Sequence, residues 1–95
     1  MSDEITSLRV HVHGIVQGVG FRDFLATSAQ QNKLDGWVRN RADGSVEALV
    51  SGPTKSVELF VSHATQGPQG AKVSAVDLHD SKPPADKGFV RRPSI

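Results

Sequence analysis

Gly14, Gly18 and Gly20 fall within seven residues, and Arg22 follows almost at once, in the stretch GIVQGVGFR. Glycine reaches positive φ without steric cost and lets a ligand come close to the main chain. Consecutive amides in such a turn can converge into a concave donor cluster that takes a phosphate-like group. Where the turn also opens a helix, the first helical amides lack internal partners and the helix dipole favours an anion. Gln17, Gly18, Val19, Gly20 and Phe21 can therefore offer several N–H groups to one phosphate. Arg22, in or near the first helical turn, is a cation at the unfavourable end of the dipole, a cost of roughly 0.3–1 kcal/mol. A bound dianion reverses that sign, and a guanidinium grips phosphate oxygens in a bidentate way that lysine cannot. On spacing alone a simpler reading stays open: a tight strand-to-helix turn, with Arg22 and Asp23 as a solvated pair. No Gly-Lys-Ser/Thr follows, so the loop is not a Walker motif, and its spacing does not fit the dinucleotide fingerprint.

The elements that must position this loop can be read from periodicity. Leu8, Val10 and Val12 alternate with Arg9, His11 and His13, which predicts a strand with one buried face. After the glycines, Phe21, Phe24, Leu25 and Ala29 form a helical apolar stripe that ends near Asn32 or Lys33. Gly36 leads into a short strand, Trp37 to Asn40. Asp43-Gly44 is a hairpin signal, and Val46, Ala48 and Val50 define the next strand, with Glu47 and Ser51 on its other face. Val57, Phe60, Val61 and Ala64 predict a second helix from about Thr54 to His63. Val76 and Leu78 begin another alternation with Ser74 and Asp80 in phase, while Val73 and Ala75 are out of phase, which predicts a bulge or register change. Phe89-Val90 can add a short terminal strand. The order β-α-β-β-α-β predicts an α+β, ferredoxin-like sandwich: four mostly antiparallel strands, a short extra C-terminal strand, and two helices on one face.

The bulk composition narrows the function classes. Ninety-five residues suit one domain spanning 1–95, with residues 1–6 expected as a flexible tail. There are no cysteines, which excludes disulfides, thiol catalysis and cysteine-ligated zinc. A net charge of +1 is too balanced for nonspecific binding to nucleic acid or membrane. The opening residues do not read as a signal peptide, and no apolar run approaches spanning length, so a cytoplasmic protein is expected. His11 and His13 read as a solvated strand face with no third group completing a metal set, and His63 and His79 as surface residues. Trp37 is assigned to packing beside the sheet, with the core favoured over ligand stacking, Asp43 to the turn, and Arg91-Arg92 to a solvated end.

Two segments together carry a specific resemblance. VHGIVQGVGFRDF, from Val12 to Phe24, and GWVRNRADGSVEALVSGP, from Gly36 to Pro53, resemble the acylphosphatases. Gly67-Pro68, followed by Ala71 and Val73, also fits, so the resemblance runs from about Leu8 to Val90. It implies a small enzyme that hydrolyses the carboxyl–phosphate bond of acyl phosphates without metal or organic cofactor. It also implies that Arg22 and the amides of Gln17, Gly18, Val19, Gly20 and Phe21 hold the phosphate, and that Asn40 orients the attacking water. Without the resemblance, Asn40 reads as a strand-end residue capping the Asp43-Gly44 turn. Two positions depart from the family pattern. Arg41 stands where a small hydroxyl residue is frequent, and Lys33 where the first helix often ends in glycine.

The chemistry is consistent with these residues. The carboxylate of an acyl phosphate leaves readily, so the protein must hold a dianion, spread charge and aim a water in line. Amides and one arginine can do the first two. Asn40 can hydrogen-bond the water but cannot accept its proton near neutral pH, which leaves a substrate phosphate oxygen as the expected acceptor. A small-molecule acyl phosphate substrate and a monomer are expected. Two other functions fit the pattern less well. One is a non-catalytic module binding a phosphorylated or carbamoylated ligand on the same fold, which has less need of Asn40. The other is an RNA-recognition domain, which stacks bases on aromatics exposed on the sheet, whereas Phe21, Phe24 and Phe60 here belong to helical stripes.

Overall fold

The computed structural model describes residues 4–95. The elements run β1 (Ile5–Ile15), α1 (Phe21–Gln31), β2 (Asp35–Asn40), β3 (Val46–Pro53), α2 (Thr54–Gln66), β4 (Lys72–Asp80) and β5 (Phe89–Arg91). One sheet holds all the strands in the order β4-β1-β3-β2-β5. The first four strands pair antiparallel, and β5 adds to β2 in parallel. This is the expected ferredoxin-like layout with its short terminal strand. The expected tail is shorter than 1–6, because Ile5 and Thr6 already pair with Pro53 and Gly52. The first three residues of that expectation lie outside the described residues.

Alternation decides which face of the sheet meets the helices. Val10 and Val12 of β1, Val38 of β2 and Val46, Ala48 and Val50 of β3 are fully buried. They form one core with Phe21, Leu25 and Ala29 of α1 and Val57, Phe60 and Ala64 of α2. Each buried Val, Leu or Phe among them contributes roughly 1.5–3 kcal/mol. The Ser28 hydroxyl and His63 Nδ1 are 2.7 Å apart, and the His63 ring meets Phe24 edge-on, which ties α1 to α2. His63 is thus a helix-packing residue and not the surface histidine that the sequence predicts.

The predicted irregularity in β4 is a bulge against β1. The register steps from His13↔Ala75 to Gly14↔Val73, which leaves Ser74 as the extra residue. A Cβ on Gly14 would lie 2.1 Å from the Lys72 carbonyl oxygen, so only glycine fits where the strands close up. α1 ends in a Schellman motif: the Leu34 amide donates to Ala29 O at 2.9 Å and the Lys33 amide to Gln30 O at 3.1 Å. The residue in the left-handed conformation is Lys33, with φ 56°, whereas Asn32 has φ −94°. A side chain that raises the energy of this conformation therefore sits where glycine is preferred.

The face away from the helices is less open than the sequence suggests. Glu47 is 4% exposed, although it lies on the polar side of β3. It accepts from Arg39 Nε at 2.9 Å and Arg41 Nη1 at 3.0 Å, and Arg9 approaches to 3.7 Å. Burial pushes the Glu47 carboxyl up, but the bonds from Arg39 and Arg41 outweigh it and hold the group below its ordinary range. Trp37 is not in the core. It is half-buried, with the guanidinium carbons of Arg39 and Arg92 at 4.6 and 5.0 Å from its ring centroid.

Candidate active site

The glycine loop runs from the end of β1 into α1 and takes the conformation its composition allows. Gly18 and Gly20 have φ 77° and 74°, and a Cβ on either would meet nothing within 4 Å. The two glycines are therefore required by backbone angle and not by crowding, which leaves open space over the loop. Gly20 is the N-cap of α1, and no side chain caps the helix. The first helical bond runs from the Phe24 amide to Gly20 O at 2.9 Å. The amides of Phe21, Arg22 and Asp23 precede it and have no partner within the helix.

The loop is fastened from both sides. The Gln17 side-chain Nε2 donates to Arg41 O at 2.8 Å and to Ser45 O at 2.9 Å, which pins the loop to the β2–β3 turn. Val16 is buried and Val19 packs against the core. Phe21 lies under the end of α2, where a Cβ on Gly67 would come within 2.9 Å of its ring. Gly67 thus lets the second helix end close against the start of the first.

A pocket of about 130 Å³ opens over this turn. Gln17, Gly18, Gly20, Phe21 and Arg22 line it, and so does Asn40 at the end of β2. Val19 does not line it. The remaining lining residues are Val16, Asp23 and Arg91. Arg22 donates to the Arg92 carbonyl oxygen at 3.4 Å, a long bond that leaves most of the guanidinium free. Asp23 pairs with Arg91 at 2.6 Å, and not with Arg22. Two arginines against one aspartate leave the pocket with a positive balance. Arg41, the departure beside Asn40, does not line the pocket, because its guanidinium is committed to Glu47.

Arg91 is the pocket residue that the sequence reading assigns to a solvated end. A signal for it exists in hindsight. Phe89 is buried in the core, and strand alternation puts Arg91 on the same side, toward α1. The segment after β5 also closes on the site, since the Ile95 amide donates to the Asn40 carbonyl oxygen at 3.1 Å.

One pocket thus gathers the glycine loop, the uncapped start of α1, two arginines and Asn40. A family model for acylphosphatase matches residues 8–91. The chain belongs to the acylphosphatase family. A relative named acylphosphatase from Rhizorhabdus wittichii is 42% identical, over 92% of this chain and 88% of its own length. Another, from Acidiphilium cryptum, is 49% identical over 83% of this chain and 87% of its own. The crystal structure of acylphosphatase from Bacillus subtilis superposes with a TM-score of 0.86 at 37% identity, covering 94% of this chain and 99% of that one. Among the described residues, no helix is long and apolar enough to cross a membrane.

Proposed function

We propose that this acylphosphatase hydrolyses the carboxyl–phosphate bond of small acyl phosphates, with Arg22 and the loop amides holding the phosphate and Asn40 orienting water. The observation that carries the reading is that Arg22 and Asn40, far apart in the chain, line one pocket at the uncapped start of α1. The amides of Gln17, Gly18, Val19, Gly20 and Phe21 and the Arg22 guanidinium bind the non-bridging phosphate oxygens. Asn40 holds a water opposite the acyl oxygen. The water oxygen bonds to phosphorus, the bond from phosphorus to the acyl oxygen breaks, and the carboxylate leaves with that electron pair. The water's proton passes to a phosphate oxygen. Preformed donors at the shifting charge are worth the most, since they do not reorganise during the reaction. Arg91, held by Asp23, adds positive potential at the rim.

The whole chain acts as one domain, a cytoplasmic monomer with no nucleic-acid or membrane partner, and the reaction needs no cofactor. The test is hydrolysis of acetyl or benzoyl phosphate in the presence of a metal chelator, followed by release of inorganic phosphate. Turnover should persist in the wild type and fall sharply in Arg22→Ala. An Arg22→Ala protein with wild-type kcat/KM would overturn the phosphate site. Size-exclusion chromatography should give the mass of one chain.

A further inference from the structure

A second set of chemistry-bearing side chains lies on the sheet face away from the helices. His11 and His13 are two residues apart on β1, so both project from that face, opposite the buried Val10 and Val12. Asp77 of β4 is the cross-strand partner of His11. The sequence alone shows no third group near the two histidines, but the sheet supplies one. A ligand atom from each of His11, His13 and Asp77 lies within 4.8 Å of the other two. We propose that these three residues bind one divalent first-row transition ion, of the zinc, copper or nickel class.

The donor set fits that class. Two imidazoles and a carboxylate match the borderline ions, and three protein ligands leave a position for water. His13 Nε2 already lies 3.0 Å from Asp77 Oδ2, close to the roughly 3.3 Å that separates ligands in a tetrahedral site. An ion would replace the proton shared by this pair. Both side chains are accessible, at 36% and 56% exposure, so they can move the short distance needed.

His11 is oriented by a chain of hydrogen bonds behind it. The Ser45 hydroxyl donates its one proton to Asp43 Oδ1 at 2.5 Å. It must therefore accept from His11 Nε2, which is 2.7 Å away. That fixes the proton of a neutral His11 on Nε2 and leaves the lone pair on Nδ1 for a metal. Such outer partners set the tautomer of a ligating histidine and raise its affinity. The nearby cations do not hold Asp77, since Arg9, Arg39 and Arg41 are all turned to Glu47.

The test uses the full chain without a histidine tag, stripped with chelator and titrated with Zn²⁺ by calorimetry and with Co²⁺ by visible absorption. The wild type should take up one equivalent and show the intense bands of a low-coordinate Co²⁺ site. His13→Asn and Asp77→Asn should each weaken binding at least tenfold while keeping the wild-type melting temperature without metal. Ser45→Ala, which touches no ion, should weaken it by about tenfold. No saturable uptake, or uptake unchanged in His13→Asn and Asp77→Asn, would overturn the site. Acyl phosphate hydrolysis is measured on the same samples. A protein that turns over substrate but takes up no ion refutes this inference alone and leaves the proposed activity standing.

Discussion

The glycine loop and the arginine-rich sheet face handle positive charge in opposite ways. On the sheet face, Arg39 and Arg41 both reach the buried Glu47, with Arg9 beyond them. Their guanidiniums are engaged by a carboxylate inside the fold, and few of their donors remain for a ligand. At the loop, among the described residues, Arg22 has only a 3.4 Å bond to a carbonyl, and its chain neighbour Asp23 is taken by Arg91. The first arrangement stabilises the fold. The second keeps a cation unspent beside uncapped amides. Counting arginines therefore says little about where an anion binds, and the partner of each guanidinium decides it.

The largest expected effect separates the two regions directly. Arg22→Ala should lower kcat/KM for acetyl phosphate by about 10²–10³-fold, the loss seen when one preformed donor to a developing charge is removed. Lys at this position should recover only part of it, since an ammonium cannot make the paired bonds of a guanidinium. Arg41→Ala, on the other face, should leave the steady-state kinetics close to wild type. Equal losses in the two variants would erase the distinction.

Asn40→Ala should come next, lowering kcat by about 10²-fold with little change in KM, because a water-positioning group acts after the phosphate is bound. A change confined to KM would instead assign Asn40 to binding.

The sheet face should answer in stability and not in turnover. Glu47→Gln should cost about 1.5–3 kcal/mol in urea unfolding at pH 7, the range for hydrogen bonds to charged groups. Its pH dependence has a definite sign. The folded Glu47 carboxyl lies below its ordinary value of 4.5, so as the medium is acidified the unfolded chain takes up the proton first. The stabilisation is complete above that value and drains away as pH falls through the lower, folded one. Glu47→Gln should flatten this acid limb, and parallel curves for the two proteins would show that the carboxyl is not the group responsible.

The smallest effect is a gain. Lys33→Gly should raise stability by about 0.5–1 kcal/mol, because it relieves a left-handed φ of 56° while keeping the Schellman bonds. The gain is less than the full left-handed penalty, since glycine also loses more entropy on folding. A lower melting temperature in Lys33→Gly would mean that the Lys33 side chain contributes more than its backbone angle costs.

The sequence by itself determined the order of the elements, the buried stripes and the need for positive φ around Gly18 and Gly20. These depend on residues that are neighbours along the chain, and periods of two and 3.6 expose them. Together with the paired motifs, the sequence also named Arg22 and Asn40. Only the tertiary structure decided which of the other charged residues join the pocket and which are engaged elsewhere. Arg91 was legible as a terminal cation, yet its place beside Asp23 depends on β5 adding in parallel to β2. Arg41 stands next to Asn40 in sequence, but strand alternation sends it to Glu47 on the opposite face. Asp77 meets His11 and His13 only because β4 pairs with β1. Long-range pairing carries no local signature, so the partner of a charge, and with it the use of that charge, is set when the sheet closes.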